Sequence, residues 1–177
     1  MKRTLIISLL LLSLSSFSQN SIFSEDKIDD MTGKKIRRTS WLVLRMEANR
    51  AYYTRLCQID STFFLDLKIL VGSYVSVEED ADFIIKFSDN STLILKNHKY
   101  ISAGLGDGAI GMLGSEAPGI NPRFILTKEQ LETLAKKEII KIRLYLNDGY
   151  IETELKSNKA TVFKEHCIQL YIRIFPS

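Results

Sequence analysis

Histidine is the side chain that most often serves as general base, metal ligand or nucleophile partner, and the chain has two, His98 and His166. His98 has no second His or Cys at a metal-ligand interval. His166 has only its neighbour Cys167, and adjacent residues on a helix point about 100° apart, too far to share a metal easily. No G-x-S-x-G elbow presents a serine for Ser-His-Asp chemistry. Glu78-Glu79-Asp80 reads most simply as a solvated turn, because paired-carboxylate chemistry needs two acids at a defined separation in a cleft. The sequence therefore assigns no catalytic residue and no metal ligand.

The glycines offer a different chemistry. Gly106, Gly108 and Gly111 give a formal G-x-G-x-x-G match within Gly104–Gly111, the pattern that lets backbone N–H groups approach a pyrophosphate at a helix N-terminus. Here it runs into Met112-Leu113-Gly114-Ser115-Glu116-Ala117-Pro118-Gly119, which cannot start a sound helix, and no Gly-Lys-Ser/Thr element follows. No cofactor is expected. The stretch from Gly104 to Pro122 reads instead as the longest irregular piece of the chain, and Gly104, Gly106, Asp107, Gly108 and Gly111 mark a candidate recognition loop.

The elements that would carry these residues are mostly strands. Asn20–Lys27 is polar and reads as loose, and Asp30-Met31-Thr32-Gly33 reads as a turn. Strand signals follow at Trp41–Met46, Ala51–Ile59 and Thr62–Val71. A two-residue loop at Asp60-Ser61 sets Leu56 beside Leu65 and Thr54 beside Leu67 on one face. On the other face Arg55 meets Asp66, an opposite-charge pair that favours this register. Asp82–Phe87 and Thr92–Lys96 form a hairpin around Asp89-Asn90. Phe83, Ile85 and Phe87 fall on one face and Ile84, Leu93 and Leu95 on the other, which predicts a central pair buried on both faces. Ile139–Leu146 and Tyr150–Leu155 flank Asp148-Gly149, which suits a type I′ turn. That turn pairs Leu146 with Ile151, Ile142 with Leu155, Arg143 with Glu154 and Tyr145 with Glu152. On this reading Gly149 needs a positive φ, whereas the loop around Gly108 can accommodate a side chain.

Two helices complete the set. Thr127-x-x-Gln130 is a capping box, followed by the short apolar stripe Leu131, Leu134 and Ala135. A C-terminal helix, capped by Ser157 or Asn158 and stopped by Pro176, carries Ala160, Phe163, Cys167, Leu170, Tyr171 and Ile174 at helical spacing. The spacing thus predicts the α+β class, with an antiparallel, hairpin-rich sheet of roughly six to eight strands packed by the C-terminal helix. One short additional helix accompanies it. Cys57 and Cys167 can form a disulfide if that helix lies on the Phe64 face of the first hairpin, and both remain free thiols if it lies on the Leu56 face. Trp41, Tyr52, Tyr53 and Tyr74 read as core or rim residues before they read as a ligand patch.

Length and composition agree with a single small globular domain: 177 residues, 45% hydrophobic, two cysteines. Residues 1–18 read as a removable signal peptide, with Lys2 and Arg3 before an apolar run from Leu5 to Leu14. Ser16 and Ser18 stand at the −3 and −1 positions of a cleavage site. The run falls short of the roughly 20 apolar residues that span a bilayer, and no transmembrane segment is expected after leader removal. The mature domain is then 19–177, periplasmic or secreted. The chain has 24 basic and 21 acidic residues, and losing Lys2 and Arg3 brings the balance close to neutral, which disfavours nucleic acid as a partner.

With the Asp30-x-Thr-Gly turn, the Phe124–Leu131 segment and the hairpin around Asp148-Gly149 in view, the chain resembles uncharacterised small secreted β-rich proteins of Gram-negative bacteria. The resemblance implies an envelope location and a β-rich domain with helices, and carries over no catalytic residue. The expectation is a non-enzymatic exported domain that binds an envelope protein, a glycan or a small ligand. An exported hydrolase with a dispersed active site is the alternative. A third reading, a carrier of an apolar ligand in a curved sheet, requires an interior cavity of about 300 Å3 or more.

Overall fold

A computed structural model describes residues 21–176; the signal peptide expected at residues 1–18 lies outside the described residues. In chain order the strands are β1 (Phe23–Ile28), β2 (Lys35–Thr39), β3 (Leu42–Met46), β4 (Ala51–Ile59), β5 (Thr62–Leu70), β6 (Ser76–Val77), β7 (Asp82–Phe87), β8 (Thr92–Lys96), β9 (Ile101–Ser102), β10 (Gly104–Leu105), β11 (Pro118–Ile120) and β12 (Arg123–Leu126). Helix α1 (Lys128–Lys136), β13 (Ile139–Leu146), β14 (Gly149–Glu154) and helix α2 (Ser157–Ile174) follow. The fold is β-rich α+β, as alternation and turn chemistry predict. Its strands divide between an antiparallel sheet of eight strands and a second of four, with the small pair β6–β9 apart.

The larger sheet runs β1-β2-β4-β5-β11-β10, with β3 also beside β4 and β12 also beside β5. The smaller runs β14-β13-β7-β8, and an isolated bridge between Asn97 and Phe124 links the two at their β8 and β12 sides. Leu65, Leu67, Phe83, Ile85, Ile142 and Phe163 meet between the sheets and α2 in one continuous core. Phe83 and Phe124 stack there with ring centroids 4.7 Å apart. β4 and β5 are the most buried strands. Their two-residue connection puts Asp60 at φ 55, a conformation that Asp tolerates better than most residues. The register across it pairs Leu56 with Leu65, Arg55 with Asp66 and Cys57 with Phe64, as expected.

Several local expectations are corrected. Residues 23–28 are the edge strand β1 rather than a loose segment; Glu25, Asp26 and Lys27 keep this edge charged, which discourages pairing with another chain. The β7–β8 connection has three loop residues, Ser88, Asp89 and Asn90, with Asn90 at φ 65. One residue more than a two-residue loop reverses the facing of β8, so Leu93 and Leu95 join Phe83 and Ile85 on the core face while Ile94 turns outward. The pair is also not central as a unit: β8 is the end strand of its sheet, and β7 and β13 are the central ones. In the β13–β14 hairpin, Leu146 pairs with Gly149, so Asn147 and Asp148 occupy the turn. Neither of these two has a positive φ, so the turn is not type I′, and the positive φ falls on the next residue, Gly149 at 141°. The shift of two residues keeps each side chain on its predicted face and gives Arg143 to Glu152, with Lys141 opposite Glu154.

The helices follow their stripes. Thr127 and Gln130 make the reciprocal capping box of α1, and Leu131, Leu134 and Ala135 are buried. Helix α2 buries Ala160, Phe163, Cys167 and Leu170, but its N-cap is Lys156, without a side-chain cap, and Ser157 is already helical. Because Phe163 lies against Thr54, Leu65 and Leu67, α2 sits on the Leu56 face of the hairpin. Cys57 is on the opposite face, so the disulfide with Cys167 does not form and both cysteines are free and buried.

Candidate functional site

The face of β4–β5 turned away from α2 carries charge. Directly opposite residues on three neighbouring strands, Arg55 on β4, Asp66 on β5 and Arg123 on β12, form a row across the sheet. Asp66 is 5% exposed, and a carboxylate so placed must be paired to remain charged. Arg123 donates to it through Nε to Oδ1 at 2.6 Å and Nη2 to Oδ2 at 3.0 Å, a two-pronged contact, while Arg55 Nε donates to Oδ2 at 3.0 Å. Burial pushes the Asp66 carboxyl up, but the hydrogen bonds and charges of Arg123 and Arg55 outweigh it and hold the group below its ordinary range. The Cys57 thiol lies 3.3 Å from Oδ2 and is pushed up to about 12 by burial and by the adjacent carboxylate.

Aromatic rings fix the outer reach of the cations. The Arg55 guanidinium lies 4.4 Å and the Lys68 ammonium 5.2 Å from the centre of the Trp41 ring, and Arg123 lies 4.8 Å from that of Phe64. Lys68 Nζ also donates to the carbonyl of Ala109 at 2.6 Å. Between these groups is a half-open pocket of about 460 Å3. Trp41, Arg55, Asp66 and Lys68 form its floor and wall, with exposed His98, Lys99 and Asn121 at its mouth beside Arg123.

None of residues 104–111 lines this pocket; the Gly-rich segment is tied to it only through the Ala109 carbonyl, which accepts from Lys68 Nζ. Far from loose, it is laid against β5: a Cβ on Gly108 would stand 2.5 Å from the Ile69 carbonyl oxygen, and one on Gly119 would stand 2.2 Å from the Gly108 nitrogen. β10 and β11 frame the segment, and no helix follows Gly111, which removes the setting a dinucleotide motif needs. Of the candidate recognition residues, Gly108 is buried, Gly104, Gly106 and Asp107 are partly covered or close to it, and Gly111 leads to an exposed tip at Met112 and Leu113. That tip borders a second, wider cleft of about 900 Å3 walled by Met46, Arg50, Ala51, Leu70, Leu113 and Ala117. The wider cleft lacks the fixed row of charges.

The other sequence candidates are dispersed. Tyr52 and Tyr53 are buried, Tyr74 is exposed and only Trp41 belongs to the pocket. Among the described residues no three His, Cys, Asp or Glu side chains gather as a metal site. The interior void bounded by Leu44, Leu65, Phe83, Ile142 and Phe163 is about 10 Å3, room for one water at most. In the sequence Arg55 and Asp66 serve only as a register marker and His98 only as a lone histidine without a metal partner, and Lys68, Lys99 and Arg123 are not singled out. The available signal was a third charge, Lys68, on the same face of β5. No protein-family model, curated protein or solved structure matches the chain.

Proposed function

We propose that the protein is an exported, non-enzymatic binding domain of the bacterial envelope whose ligand carries a negative charge and enters the pocket beside Trp41. One observation carries this reading: four permanent cations, Arg55, Lys68, Lys99 and Arg123, surround a pocket whose single carboxylate, Asp66, is already engaged. Like charges held around a concavity concentrate positive potential there, and an anion relieves it. Binding fits the side chains better than turnover does. An ionised Asp66 held by two arginines is a poor proton donor or acceptor at neutral pH, and a thiol pushed as high as that of Cys57 is a poor nucleophile.

Trp41 is the single tryptophan of the chain, so its fluorescence reports on this pocket alone. Titration with acetate, sulfate and phosphate at low ionic strength should give a saturable change for at least one anion. Added sodium chloride should weaken it, and Arg123→Ala should abolish it. A flat response to every anion would sink the proposal. Release of product from a bound ester would replace it with the hydrolase reading.

A further inference from the structure

Resting on that anion-binding reading, we infer that the pocket takes a phosphate monoester, with the phosphoryl group held between Arg55 and Arg123 above Asp66. Arg55 spends only Nε on Asp66, which leaves both Nη groups; Arg123 spends Nε and Nη2, which leaves Nη1. Because these guanidiniums stand on the two strands flanking β5, a ligand over Asp66 meets N–H donors from both sides. A carboxylate offers two coplanar oxygens, and one guanidinium fork can satisfy them. A phosphoryl group offers three terminal oxygens in a tetrahedral spread, enough for both arginines and for an ammonium from Lys68 or Lys99.

Charge points the same way. Four permanent cations face one carboxylate, so a dianion relieves the excess more completely than a monoanion. The pocket, about 460 Å3, also exceeds what a bare phosphate fills, and Asn121 and His98 line the remainder with polar groups suited to hydroxyls. The same phosphoryl chemistry is carried by soluble sugar or polyol phosphates and by the headgroup of phosphatidic acid.

Trp41 fluorescence should be titrated with glycerol 3-phosphate and with glycerate, which share a short hydroxylated body, at matched ionic strength. The phosphate ester should bind more tightly by about tenfold or more, the worth of one added charge-assisted hydrogen bond. Arg55→Lys and Arg123→Lys keep the charge but lose the fork and should erase most of that preference. Lys99→Ala, at an exposed position, should weaken the ester more than glycerate. Flotation with phosphatidylcholine vesicles, with and without phosphatidic acid, separates the sources. Capture only by the acidic vesicles, without a response to glycerol 3-phosphate, assigns the ester to a lipid headgroup, and the converse assigns it to solution. Glycerate binding as tightly as glycerol 3-phosphate would overturn the phosphate assignment while leaving the anion reading in place. Failure of all these probes, acidic vesicles included, would remove both.

Discussion

Asp66 is the residue on which two interpretations of the pocket divide. If it merely competes with the ligand for Arg55 and Arg123, then Asp66→Asn, which raises the positive charge of the pocket, should tighten anion binding. If it holds the two guanidiniums in place, the same substitution should loosen binding by about tenfold despite the added charge, since a neutral amide anchors them less strongly. Fluorescence titration of the variant decides, and tighter binding would refute the clamp. The carboxyl also leaves a trace in acid stability. Its folded value lies below its unfolded one, so in the acid range the unfolded chain holds more protons at this group than the folded chain does. The stabilisation is therefore complete above the unfolded value of about 4 and is lost as pH falls through the lower folded value. Denaturant midpoints followed from pH 6 downward, a range set by that value, should fall less steeply for Asp66→Asn than for the wild type. Arg55 and Asp66 were legible in the sequence because a two-residue loop fixes which residues face each other. Arg123 was not, because its strand meets β5 across 57 residues of chain and no local pattern records that pairing.

At the scale of elements, the Gly-rich segment makes the sharpest test. Gly108 has no room for a Cβ against the backbone of Ile69, whereas a Cβ on Gly111 would touch nothing within 4 Å and meets only the strain of φ 61. Gly108→Ala should accordingly cost about 1–3 kcal/mol by overpacking against backbone, more than Gly111→Ala, as read from denaturant midpoints. The opposite order would mean that the segment lifts from β5 easily. Irregular composition suggested a loop here because turn residues look alike whether a segment is free or laid on a sheet; only the close approach of backbone to backbone distinguishes them. Helix α2 was legible for the contrary reason, a repeated stripe long enough to define a face. Leu170→Ala should cost about 2–5 kcal/mol, and exposed Gln169→Ala within about 0.5 kcal/mol. Equal midpoints for the two would show that α2 adds little to the core. The β7–β8 hairpin shows how narrow such inferences can be. A single additional loop residue was enough to exchange the inward and outward faces of a whole strand.

For the whole molecule, two free buried thiols on opposite faces of the large sheet imply that neither oxidation nor alkylation proceeds without opening the fold. Iodoacetamide should label neither cysteine in native protein and both in denaturant, a result read directly by mass. No helix among the described residues is long and apolar enough to cross a membrane. Edman sequencing of exported protein should begin at Gln19 if the leader is cut after Ser18, and an intact Met1 form would contradict export with cleavage. The pocket itself was not legible as a unit because its walls come from β4, β5, β12 and the segments beside them, brought together only by the folded sheet. That assembly couples recognition to strand docking. Arg123 can reach a ligand over Asp66 only while β12 remains hydrogen-bonded to β5, so whatever occupies the pocket must also resist the parting of those strands. In an amide hydrogen-exchange experiment, ligand at about 100 times its Kd should slow any opening that frees β12 by about a hundredfold, while the β13–β14 hairpin in the other sheet keeps its own rate in local openings.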